Sequence, residues 1–279
     1  MVKVISTNII ALFVRKRSVE IISVGNELLT GHTLNTNASW IAKQVTDVGG
    51  IVKIVTIVGD EIDEIASSIR GSLRRKAGWL IISGGLGPTY DDKTLQGLAR
   101  ALGQELVLNK EAVVMLKRKY SKILNLELTA PRIKMATIPA RAKPLHNPVG
   151  HAPAVMVTHG SCTIFVLPGV PKEMMAIFAK YILPVLKRKI GKFVRLETNL
   201  ETTNIMESVL APYLDRVVAN NPKVYIKSHP RGYSRGVSRL HISFACESSS
   251  RRLARKYLRK AIGEMKQSII DADGKAREI

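Results

Sequence analysis

Acidic residues are scarce in this chain. Its 279 residues hold 22 Asp and Glu against 43 Lys and Arg, a formal net charge of +21. Such a surplus draws anions, either nucleic-acid phosphates or small anionic ligands. Aromatic residues are scarce too, at 5%. Stacking platforms for bases are therefore few, and nucleic acid becomes a possible but not favoured partner. Only two cysteines occur, Cys162 and Cys246. That is too few for a Cys-based zinc site or a dense disulfide framework, and reduced, buried thiols fit a cytoplasmic protein. Long apolar runs are missing as well. The stretch 9–14 is far too short to span a bilayer. Its basic cluster, Arg15-Lys16-Arg17, follows the apolar residues, the reverse of a signal peptide. Residues 1–18 read as an N-terminal extension outside the core fold, and no membrane partner is expected. The six histidines show no metal-ligand spacing. Ser23, Ser83 and Ser161 lack the nucleophile-elbow pattern, which argues against acyl transfer.

What is present is an alternation of short apolar runs and amphipathic stretches. Nearly half the residues are hydrophobic, 46%, enough for one large domain or two smaller ones. Residues 19–24, 51–58 and 79–82 are β-branched or apolar runs, each stopped by a glycine turn, and read as strands. The third lacks polar alternation, which predicts burial on both faces. Between them, 35–48 and 61–76 carry helical spacing, and a further helix is expected over about 92–102. Strands alternating with helices imply a three-layer α/β domain, a mostly parallel sheet with helices on both faces. Residues 109–124 read as a basic helix, 131–148 as irregular, and 154–158 with 162–167 as a hairpin. Residues 171–189 read as a helix interrupted near Pro184. A boundary is placed near Gly191, so 19–190 form the main domain and 191–279 a small α+β module. In that module 193–198, 224–227 and 240–245 read as strands, and 203–218 and 248–270 as helices.

Ligands of parallel sheets lie beyond the carboxyl ends of the strands. Three turns follow strands directly: Gly25-Asn26-Glu27, Gly59-Asp60, and the loop Ser83-Gly84-Gly85-Leu86-Gly87-Pro88-Thr89-Tyr90-Asp91-Asp92. Glycines let backbone approach a phosphate closely, and a helix start adds unpaired amides. Asp91 and Asp92 would repel a phosphate unless a cation sits between, and Mg²⁺ favours such oxygen ligands. Asp60 could supply a further oxygen. Either Asp60 or Asp92 could equally cap its helix. Asn35-Thr36-Asn37 heads the first helix, so one residue caps it while another could grip ribose or base. Pro168-Gly169-Val170-Pro171 opens a helix with Lys172 and Glu173 in its first turn, and Asn147-Pro148-Val149-Gly150 is a rigid turn that could bring an amide to the ligand.

Taken in order, these segments resemble the CinA-like proteins. The resemblance is carried by residues 20–31 with Asn35-Thr36-Asn37, by Val58-Gly59-Asp60, and by the Gly84–Asp92 loop with Thr94. Asn147–Gly150 and residues 167–173 complete it, and it spans 19 to about 190. The wider superfamily includes the molybdenum-cofactor enzymes MoaB and Mog, which carry Gly-Gly-Thr-Gly and an Arg-Asp pair. Here Leu86 replaces the Thr and Asp91 the Arg, a departure that favours the CinA branch. The resemblance implies metal-dependent hydrolysis of ADP-ribose or a related nucleoside diphosphate compound. It also implies a homo-oligomer. Residues 192–270 resemble the family's small KH-like module, so no nicotinamide-mononucleotide deamidase domain is expected. The RNA-clamping Gly-x-x-Gly is replaced by Gly232 to Gly236 with three residues between.

The expectation is thus a cytoplasmic, divalent-metal-dependent nucleotide pyrophosphatase, with Mg²⁺ as the metal. Asp60, Asp91, Asp92 and Glu27 form the catalytic group, Asp60 and Asp92 being the metal ligands. Substrate contacts fall to Asn35, Asn37, Gly84, Gly85, Gly87 and Thr89, and to Asn147, Gly150, Pro168, Gly169, Pro171 and Lys172. Two alternatives stand beside it. One is molybdopterin binding or adenylylation. The other is a non-enzymatic binder of nucleotide or RNA, with the basic helix 251–260 as the RNA contact.

Overall fold

A computed structural model of the protein describes residues 17–123, 127–190, 194–234 and 237–279. Residues 1–16 of the expected extension lie outside the described residues, as do Phe193 and Arg235-Gly236 of the small module. The chain folds as two compact units divided at Ile190.

The first unit is built on a six-stranded sheet. Its strands are β1 (Ser18–Val24), β2 (Ile51–Val58), β3 (Trp79–Ser83), β6 (Lys143–Leu145), β7 (Ala154–His159) and β8 (Cys162–Leu167), in the order β2-β1-β3-β8-β7-β6. The first four are mutually parallel, and the β7–β8 hairpin and β6 add antiparallel strands. The helices α1 (Thr36–Asp47), α2 (Ile62–Arg74) and α3 (Thr94–Leu102) follow β1, β2 and β3. A two-stranded ladder, β4 (Leu106–Leu108) with β5 (Thr137–Pro139), and the helix α4 (Lys110–Lys117) lie between β3 and β6.

The inner strands β1, β3 and β8 are buried at nearly every residue, whereas the edge strand β2 is partly exposed. All five residues of β3 are buried, as the unbroken run Trp79-Leu80-Ile81-Ile82 predicts. Ile22, Leu80 and Ile82 share one core with Ile65 and Ile69 of α2 and Leu98 of α3. Ile21, Ile81 and Phe165 project to the opposite face, where they too are fully buried. On that side Trp40 of α1 meets Phe178 edge-on at 5.3 Å. The β1 start is pinned by an ion pair. Glu20, 3% exposed, receives two hydrogen bonds from Arg75, Nε–Oε1 at 3.0 Å and Nη2–Oε2 at 2.6 Å.

Two expected helices differ in detail. The helix expected over 109–124 is α-helical only to Lys117 and continues as π-type turns to Ile123. The helix after Pro171 runs as α5 (Pro171–Ile177), widens over Phe178–Ile182, and resumes as α6 (Leu183–Ile190). Its irregularity therefore lies just before Pro184, whose ring excludes the amide donor and crowds the preceding turn.

The second unit is a four-stranded antiparallel sheet, β10-β11-β9-β12. Its elements run β9 (Val194–Thr203), α7 (Glu207–Asn220), β10 (Val224–Ser234), β11 (Val237–Ser248), α8 (Arg251–Asp271) and β12 (Lys275–Glu278). This is the split β-α-β arrangement. Leu200, Leu240, Ile242 and Phe244 form its core with Leu258 and Met265 of α8.

Candidate functional site

The chain leaves β1 for β2 on one side and then crosses back for β3 on the other. This reversal separates the connections at the carboxyl ends of β1 and β3, where open parallel sheets hold their ligands. An open cleft of about 260 Å³ lies there, lined by Val24 and Gly25 after β1, Asp60 after β2, and Ser83, Gly84 and Gly85 after β3.

The glycine turn is shaped by crowding. Gly84 has φ +107°, and a Cβ there would collide with the carbonyl oxygen of Val24. Gly85 has φ +65°, and a Cβ there would strike Thr94 Oγ1. L-residues with side chains avoid such conformations. Thr94 holds the turn from below: its hydroxyl donates to Gly84 O at 2.8 Å and its amide to Gly85 O at 3.3 Å. The Gly84 amide is spent on Leu167 O at 3.0 Å, which removes it from the donors expected for a phosphate. Among the described residues, no intramolecular acceptor is assigned to the amides of Gly85, Leu86 and Gly87.

The carboxylates are partly committed. Asp60 Oδ2 accepts from the Asn26 amide at 2.9 Å, and Asn26 Oδ1 accepts from the Asp60 amide at 3.3 Å. This exchange ties the turn after β1 to the turn after β2. Asp92 Oδ2 accepts from both the amide and the hydroxyl of Thr89, closing the far end of the loop. Asp91 is exposed, and its carboxyl is held below the ordinary range, first by the nearby Thr89 side chain, then by its own backbone amide and by Lys134 and Lys93. Glu27 lies against Gly25. Asp60, Asp91, Asp92 and Glu27 all line the cleft.

Asn35 is the cap of α1. Its Oδ1 accepts from the Ala38 amide and from Ser23 Oγ, both at 3.1 Å. Asn37 Nδ2 donates to Gly169 O at 2.7 Å, which fixes the amide and leaves its Oδ1 buried without a partner. Both line the cleft, together with Gly169 and Pro171.

The remaining expected residues stand elsewhere. Thr89 serves the loop closure just described, and Gly87 faces a neighbouring cavity. Asn147, 3% exposed, spends its amide on Ala152 O and Glu173, and its Oδ1 on the amides of Val149 and Gly150. It thus builds the 147–150 turn, and Gly150 packs directly on the Glu173 carboxylate. Pro168 and Lys172 are not among the residues lining the cleft, and Lys172 is exposed. Sequence reasoning missed Leu28, Thr33 and Leu34, which line the cleft. Their neighbours Glu27 and Asn35 were the available signal. Leu34, 81% exposed, is a large apolar side chain at the rim.

Residues 20–188 match the family described as a probable molybdopterin-binding domain. The chain belongs to this molybdopterin-binding family. Within it the chain is CinA-like. It is 40% identical to the crystal structure of the protein CinA from Thermoplasma acidophilum, a protein of unknown function, with a TM-score of 0.56, covering 62% of this chain and 98% of that one. A protein of Sulfurisphaera tokodaii is 44% identical over 249 residues, 89% of this chain and 93% of its own. One from Aeropyrum pernix is 41% identical over 258 residues, 92% and 96% of the two chains. These two relatives extend well beyond 20–188, so they cover residues of the second unit as well.

Among the described residues, no three His, Cys, Asp or Glu side chains are grouped to hold a metal. The donor chemistry nevertheless suits a hard cation shared with a ligand, because Mg²⁺ typically takes one or two carboxylates and completes its shell with phosphate oxygens and water. Among the described residues no helix is long and apolar enough to cross a membrane.

Proposed function

We propose that the cleft binds a phosphate-bearing pterin or nucleotide, molybdopterin being the ligand named by the family. The observation that carries this reading is the glycine turn itself, held by Thr94 at the end of the buried strand β3, with the Gly85 amide beside the open cleft. Backbone donors fixed this way bind phosphate oxygens with no side chain in between. Asn37, bonded to Gly169 O, fixes two lining segments to each other.

A second reading, hydrolysis of a phosphoanhydride, draws support from the carboxylates that line the same cleft. Asp60 and Asp92 would hold a divalent cation together with the ligand's phosphates. When bound, that ion supplies positive charge between carboxylates and phosphate oxygens. Glu27, lying against Gly25, would accept a proton from an attacking water.

The test incubates purified protein with ATP, Mg²⁺ and molybdopterin, and separately with ADP-ribose and Mg²⁺. Binding of molybdopterin, with or without its adenylylation, supports the first reading. AMP released from ADP-ribose above a protein-free control supports the second. Neither binding nor turnover of any phosphate compound would overturn both.

A further inference from the structure

A second cavity of about 260 Å³ lies against the same glycine segment. Gly85 and Asp92 border both this cavity and the cleft. The two spaces therefore share one stretch of chain. Their walls differ in chemistry. The cleft is ringed by glycine backbone, asparagines and carboxylates, whereas Leu86, Leu95, Ile133 and Met135 give the second cavity apolar sides, with Gln96 and Thr137 as polar groups.

We infer that this second cavity receives the planar nitrogen heteroaromatic ring of the ligand whose phosphates occupy the cleft. The inference rests on the phosphate reading of the cleft and adds to it the place where the ring is recognised. Small-molecule sites combine apolar walls with a few placed polar groups, and this cavity has that composition. A ring of this kind also carries donors and acceptors on its edge. The Gln96 amide offers both kinds of partner. Leu86 explains how one segment serves both ends of a ligand. Its neighbour Gly85 borders the cleft, while the Leu86 side chain, 4% exposed, forms a wall of the cavity. Lys134 fixes the arrangement. It lines the cavity, and its Nζ donates to the carbonyl of Thr89, so the segment 133–135 is tied to the loop that borders both spaces.

The assignment also gives a role to the residues that follow β4. Leu106 on β4, Thr137 on β5, and Ala130, Ile133 and Lys134 of the short helix Ala130–Lys134 with the following Met135 all border the cavity, though none of them reaches the cleft. Their place around the ring makes this subsite, rather than the glycine turn, the determinant of which phosphate compound is accepted.

The experiment measures calorimetric affinities of three probes: pyrophosphate, ADP and 6-hydroxymethylpterin diphosphate. It compares wild type with Ala130→Trp, which fills the cavity from an exposed position, and Gln96→Ala, which removes a polar edge without adding bulk. In wild type, at least one ring-bearing probe binds more tightly than pyrophosphate. Ala130→Trp weakens that probe on the order of tenfold or more and leaves pyrophosphate within about twofold. Gln96→Ala weakens the same probe about threefold or more, and whether that probe is ADP or the pterin names the ring. The inference is overturned if the ring adds no affinity in wild type. It is also overturned if both variants leave ring-bearing probes unchanged, or if Ala130→Trp weakens pyrophosphate equally. Loss of the ring effect with pyrophosphate still bound removes only this assignment. Failure of pyrophosphate to bind wild type removes the phosphate reading, and this inference with it.

Discussion

The two sheets of this protein use their strand ends differently. In the first unit, β1, β2 and β3 all run the same way and stop at glycine turns, so three main-chain corners gather at one edge. In the second, β10 and β11 pass directly into a long antiparallel ladder pairing Val224 with Cys246 and Ser234 with Val237. Backbone donors there are consumed by the neighbouring strand. Parallel strands cannot be joined by a tight hairpin, so their ends are left for loops, and loops can hold a ligand. Charge follows the opposite pattern. The cleft is lined by carboxylates, whereas the outer face of α8 begins with Arg251, Arg252, Arg255 and Lys256, all exposed. Abundant positive charge is therefore not what marks the candidate site. Fixed backbone geometry marks it.

The comparison breaks first if the two cores are not separate in effect. Phe244 is fully buried in the second core, and Phe244→Ala is expected to cost about 3–5 kcal/mol by cavity formation. Pyrophosphate affinity, measured by calorimetry below the unfolding transition, should change less than about twofold. A larger change would mean that the cleft depends on the second unit. Next comes the glycine turn. Gly84→Ala forces a Cβ onto Val24 O at φ +107° and should cost about 2–4 kcal/mol in chemical denaturation, with loss of phosphate binding. Retained binding at unchanged stability would remove the geometric argument.

A smaller effect separates charge from shape. Asp92→Asn keeps an acceptor for Thr89 while removing a charge beside the cleft. It should strengthen metal-free pyrophosphate binding and weaken binding in Mg²⁺, each by roughly fivefold, about 1 kcal/mol. Equal shifts in both conditions would argue against a shared cation. The smallest effect concerns His146, whose Nδ1 is buried without a partner. Burial, then the charges of Lys180, Lys119 and Arg118, hold it below its ordinary 6.5. The folded state thus keeps His146 neutral where the unfolded chain takes up a proton. Its contribution to stability is complete above pH 6.5 and is lost as pH falls through the lowered value. His146→Gln should flatten the stability profile below that pH, and an unchanged slope would contradict the assignment.

Much of the first unit was legible because its signals are local. The unbroken apolar run of β3 gave its burial, and Gly25, Gly59 and Gly84 gave the strand ends. The Gly84–Asp92 loop named itself by composition. What failed to read was tertiary. The segment 131–148 appeared irregular, yet it holds β5 and β6, three residues each, containing Pro139 and Pro144. Strands that short carry no period, and proline masks them. The β10–β11 ladder exceeds the expected runs 224–227 and 240–245, because the pairing continues past a register shift between Pro230 and Tyr233. Within the site, Asn35, Asn37 and Asn147 look alike in sequence. Only the partners show that Asn147 is saturated by its own turn and Glu173, away from the cleft, while Asn37 joins Gly169 at its lining. Composition cannot tell an asparagine that builds a turn from one that meets a ligand.

The central claim is that the backbone at the end of β3 binds phosphate. Amide NMR shifts recorded during a pyrophosphate titration test it most directly. The account predicts saturable shifts at Gly85 and its neighbours, with α8 unaffected at moderate salt. Shifts confined to Arg251, Arg252 and Arg255, with Gly85 unmoved, would contradict it.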